Sequence, residues 1–191
     1  MWSPASINGR PRLLLIDGSR DLAGWEASFC DRLFAGLKRR LAVAGEGPLR
    51  AAAPDALLRY VELLRQANCL LVVGHGGQTD PPAWAELLGY WEWLRSHVDG
   101  PKLFAGCSWQ SYDPRLSQAV LDKTGAFAPL ALVPQAPVEP RTAGLYLLKF
   151  FTELALHSEE RVTGKMVWFS ASKARELLKR RGLTGAFSVR C

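Results

Sequence analysis

Residues 69–77 read CLLVVGHGG, an apolar run closed by Gly74 and followed at once by His75 between glycines. A short run with no polar alternation fits a central parallel strand buried on both faces. Residues 102–107, KLFAGC, repeat the arrangement, with a short apolar strand, a glycine and then Cys107. His75 and Cys107 are thus expected at equivalent places, just beyond the ends of two strands. Their separation, 107 − 75 = 32 residues, leaves room for one helix between them.

Elements of the same kind lie on either side. RLLLID at 12–17 is a first apolar strand ended by Gly18. The three- and four-residue recurrence of Leu22, Trp25, Phe29, Leu33, Phe34, Leu37 and Leu41 predicts a helix over 22–44. PLRAAA at 48–53 is a weak strand candidate, and Pro54 and Asp55 open a second helix that stops at Asn68. Trp84, Leu87, Leu88, Trp91 and Leu94 predict a helix over 83–98, ended by Asp99, Gly100 and Pro101. Downstream, 114–124 reads as helix, APLALV at 128–133 as strand, 141–157 and 162–181 as helices, and AFSVR at 186–190 as an edge strand. Strands alternating with helices of this length imply an α/β fold, a mostly parallel sheet of about five to six strands with helices on both faces.

At 191 residues the chain has the length of one domain, 1–191, with no linker, repeat or low-complexity tract. A composition 48% hydrophobic and 22% charged is that of a packed protein rather than a disordered one. No apolar stretch approaches the roughly 20 residues of a membrane span, and the first residues lack a secretory apolar run, so no membrane association and a cytoplasmic location are expected. The net charge of +6 gathers at helix ends, in Lys38, Arg39 and Arg40 and in Lys173, Arg175, Lys179, Arg180 and Arg181. Cations there are favoured by the helix dipole and solvated, which makes nucleic acid the weaker explanation of the charge.

Cys30, Cys69, Cys107 and Cys191 lack the close paired spacing of zinc or disulfide sites and read as free thiols. In open α/β sheets chemistry gathers at the carboxyl ends of the strands, where His75 and Cys107 are expected to meet. An imidazole within reach of a thiol lowers its pKa and later gives a proton to the leaving group. Gly76 lets the backbone N–H approach a developing oxyanion, with the Cys107 N–H as second donor. No metal or organic cofactor is needed for that chemistry.

LLLID, LLVVGHGG and LFAGCSWQ together resemble the caspase-like cysteine peptidases, most closely the separase-related CHAT family. The resemblance continues through ALVPQAPVEPRTAGLYLLKFFTEL, with its Phe150, Phe151 and Leu154 step, to KMVWFSASKARELL and AFSVR. It implies a three-layer sandwich and a cysteine endopeptidase in which Cys107 is the nucleophile, His75 the general base and acid, and Gly76 an oxyanion donor. It also implies a protein substrate, an activating or regulatory protein partner and a bacterial stress or defence setting. Ser108 stands where the family often carries an acidic residue. Together with Asp17 and Glu139 it is a candidate for the substrate pocket, and an acidic pocket would prefer a basic residue before the scissile bond.

Blander readings stand beside these. A buried cysteine at a strand end is commonly a core residue, as Cys30 and Cys69 are expected to be. His97 and His157 close helices, and Asp80 reads as a turn or cap residue. Trp84, Tyr90, Trp91, Trp93 and Trp109 are either packing or a partner surface. A caspase-like scaffold with a silent dyad is the alternative to the enzyme.

Overall fold

The computed structural model describes residues 6–17, 25–50, 58–74, 93, 96, 103–108, 130–134, 138–184 and 187–190. The helix expected over 114–124 lies outside them. Of the helix expected over 83–98, only Trp93 and Ser96 lie inside, and both are helical.

The first long strand, RLLLID, is preceded by a short one, so it becomes β2. The described elements run β1 (Ser6–Asn8), β2 (Arg12–Asp17), α1 (Trp25–Lys38), β3 (Ala42–Val43), β4 (Leu49–Arg50), α2 (Val61–Gln66), β5 (Cys69–Gly74), β6 (Leu103–Ser108), β7 (Leu130–Pro134), α3 (Pro140–His157), β8 (Arg161–Thr163), α4 (Gly164–Arg180) and β9 (Phe187–Arg190). The main sheet has the order β3-β2-β5-β6-β7-β9, with β4 also on the outer edge of β2. All its pairings are parallel except β7–β9. The fold is therefore mixed α/β with a mostly parallel sheet, and β9 closes it as the edge strand the sequence suggests.

The apolar runs are explained by two-sided burial. Leu13 and Leu15 of β2, Cys69, Leu71 and Val73 of β5, and Leu103, Ala105 and Cys107 of β6 pack against α1, α3 and α4 in one core. The intervening Leu14, Ile16, Leu70 and Val72 point to the opposite face and are equally buried. The short helix α2 packs on β2, with Leu64 fully buried. Alternation is lost from these strands because neither face meets water.

Several boundaries correct the sequence reading. The first helix ends at Lys38, not near 44: the N–H groups of Arg40 and Leu41 both donate to the Leu37 carbonyl, and Ala42–Val43 then turn onto the β2 edge. Among the described residues the sheet has five strands of four or more residues, β2, β5, β6, β7 and β9, in keeping with the expected five to six, and β3 and β4 add two-residue ladders too short to show periodicity. Val162 is not helical. It pairs with Ile7 in a separate antiparallel β1–β8 ribbon, and α4 starts after Thr163, whose hydroxyl accepts from the Met166 N–H at 3.4 Å. That helix ends in a Schellman turn, with Gly182 at φ +65° and N–H bonds from Gly182 to Lys179 and from Leu183 to Leu178.

Asn68 fastens the amino ends of the central strands. Its carbonyl accepts from the Leu103 N–H and its own N–H donates to the Arg12 carbonyl. Its side-chain Oδ1 accepts from the Arg12 N–H at 2.8 Å, while Nδ2 donates to the carbonyls of Asn8 and Arg10. One residue thus ties the end of β1 to the starts of β2, β5 and β6.

Candidate functional site

From β2 the chain first goes to β3 and β4 on one side and then to β5 on the other. Such a reversal opens a crevice at the carboxyl ends of the two central strands, here β2 and β5. Asp17 is the last residue of β2, and Gly74, the last of β5, is joined directly to His75. His75 and Gly76 lie outside the described residues.

Cys107 occupies the strand next to β5. The register pairs Asp17 with Val73 and Val73 with Cys107, so the three form one row across β2, β5 and β6. Two strand spacings, about 10 Å, separate the Asp17 and Cys107 backbones. Cys107 does not follow its strand as the sequence suggests. It lies inside β6, because pairing with β5 carries the ladder through Gly106 to Gly74 and Ser108. His75 is accordingly two positions on from the residue that faces Cys107. On the other side, β6 pairs with β7 only as far as Ala105 and Leu132, so these strands part beside Cys107.

The thiol environment is apolar. Cys107 is 0% exposed, and burial pushes its thiol pKa up to about 12. Withdrawing a group from water disfavours its charged form, so this thiol is protonated at neutral pH. Cys30 of α1 is buried in the same core as Cys107, close enough to Asp17 and Cys107 for both to act on its thiol. Burial first, and then the charge and hydrogen bond of Asp17, raise the Cys30 pKa, with a further contribution from the Cys107 thiol. Asp17, Cys30 and Cys107 therefore form one buried group at the carboxyl side of the sheet. The sequence did not single out Cys30, since its helical phase with Phe34 and Leu37 marks only a core position.

Ser108 ends β6 opposite Gly74. Glu139 is placed differently: it is exposed at the N-cap of α3, where its Oε2 accepts from the Thr142 hydroxyl at 3.3 Å, and it shares a surface groove with Arg32 and Arg141. His157 packs edge-on against Phe169 and pairs with Glu153, a structural setting. Among the described residues no helix is long and apolar enough to cross a membrane. No protein-family model matches the chain, and no curated protein matches it.

Proposed function

We propose that the chain is a cysteine endopeptidase of the caspase-like, CHAT type, its sheet and helices forming that family's three-layer sandwich. The observation that carries this reading is the placement of Cys107 on the strand that neighbours β5, whose last residue leads directly into His75. A step of two residues along a parallel neighbour is about 6.6 Å and returns to the same face of the pleat.

In the proposed reaction His75 takes the Cys107 proton, and the sulfur attacks the scissile carbonyl. The Gly76 and Cys107 N–H groups hold the oxyanion, and His75 returns its proton to the leaving amine. Water then hydrolyses the thioester. Asp17, in the row of Cys107, is the better placed of the two acidic candidates for a basic substrate side chain, since Glu139 shares its groove with two arginines. A protonated, fully covered thiol is a resting form, which agrees with an enzyme that a protein partner switches on in a bacterial regulatory or defence setting.

The same burial favours the second reading, a silent caspase-like scaffold in a protein complex. A peptidyl acyloxymethyl ketone with arginine before the reactive carbon separates the two. The peptidase is expected to be labelled at Cys107, found by mass spectrometry, and the rate should fall about 10²–10⁴-fold in His75→Ala. Absence of label from the wild-type chain, even with the products of its neighbouring genes added, selects the scaffold.

A further inference from the structure

Helices α1 and α3 cross closely because Gly144 presents no side chain to Phe29, whose ring carbon Cε2 would stand 3.0 Å from a Cβ there. Beside this crossing runs a surface groove of about 600 Å³. Its floor is apolar, made by Phe29 and Leu33 of α1 and Leu145 and Leu148 of α3. That volume lies within the roughly 300–1,000 Å³ of ordinary binding pockets.

The rim carries net positive charge. Arg32 and Arg141 are both exposed, and neither makes an ion pair among the described residues. Arg40, near Leu148 at the Gly36 end, is held by the Gly36 carbonyl at 2.7 Å rather than by a carboxylate. Of the nearby acids, Asp31 is taken by Arg50 through both oxygens, which leaves Glu139 as the one carboxylate lining the groove among the described residues.

We infer that this groove docks an acidic, apolar segment of a partner protein, its aliphatic or aromatic side chains on the Phe29–Leu145 floor and its carboxylates on Arg32 and Arg141. Cations facing an apolar floor favour such a segment over a basic one through the cost of like-charge contact. The same argument disfavours a second copy of this chain, whose net charge is +6. Docking is a property of the outer face of α1 and α3 and does not require Cys107 to be a nucleophile.

The test pans phage-displayed short random peptides against the full chain and measures the enriched peptide, fluorescently labelled, by anisotropy. Enriched sequences are expected to combine Asp or Glu with Leu, Phe or Trp. Their Kd should rise by about tenfold or more in Arg32→Glu/Arg141→Glu, which leaves an exposed surface and an intact core, and also in Leu145→Glu. Added salt should weaken binding, and Lys179→Glu on α4 should not. Enrichment of basic or neutral peptides, no enrichment, or affinity unchanged in the arginine double variant would overturn the inference. So would self-association of the chain that Arg32→Glu abolishes, since the occupant would then be a second copy.

Discussion

Replacing Phe150 with alanine is expected to lower the free energy of unfolding by about 3–5 kcal/mol. Phe150 is 0% exposed in the middle of α3 and meets Phe151 edge-to-face, with ring centroids 5.0 Å apart. It also lies parallel to Tyr146 at 6.4 Å, and Tyr146 in turn stacks on Phe187 of the edge strand at 4.1 Å. The ring therefore links α3 to the antiparallel end of the sheet, and its loss leaves a void bordered by rigid aromatics that cannot close in. Leu156 on the last turn of the same helix is 67% exposed, and Leu156→Ala should stay within about 0.5 kcal/mol of the parent. Urea unfolding of both variants checks the contrast. Equal midpoints would mean that α3 is not the main buried helix.

The second large effect is alkaline destabilisation. In the unfolded chain a cysteine loses its proton near pH 8.5, whereas the folded Cys107 thiol holds it to about 12. Cys30 moves in the same direction, through burial and then its Asp17 neighbour. Between these values the folded state binds more protons than the unfolded state, so stability falls as pH rises. Its full value is present below about pH 8.5, and each thiol contributes a slope of about 1.4 kcal/mol per pH unit above that. Urea midpoints at pH 8 and near pH 10.5 should therefore diverge strongly in the wild type and less in Cys107→Ala, which lacks one titrating thiol. A wild-type midpoint that does not move, or a Cys107→Ala slope equal to the parent's, would show that the thiol is already ionised or open to water.

The central sheet was legible because CLLVVG is apolar throughout and RLLLID is apolar from Leu13 to Ile16, a pattern that two-sided burial explains. The long helix was legible too, as a strongly apolar stretch over 141–157. What the sequence hid depends on distant partners. Val162 joins β8 because Ile7 lies opposite it, and Ala42–Val43 form a strand only because the edge of β2 is open to them. Gly106 looked like a strand end and is not one, because β5 pairs beyond it. The neighbourhood of Cys107 was legible in one dimension only. The row of Asp17, Val73 and Cys107 follows from strand register, and the nearness of Cys30 to it follows from how α1 lies on the sheet. Residue spacing along the chain carries neither.

The dyad is most directly tested by mapping new protein N-termini in cells that make the wild-type chain, Cys107→Ala or His75→Ala. A set of termini present with the wild type and absent with both variants is the predicted result. Termini that persist when Cys107 is alanine would contradict the assignment of that thiol, and with it the peptidase.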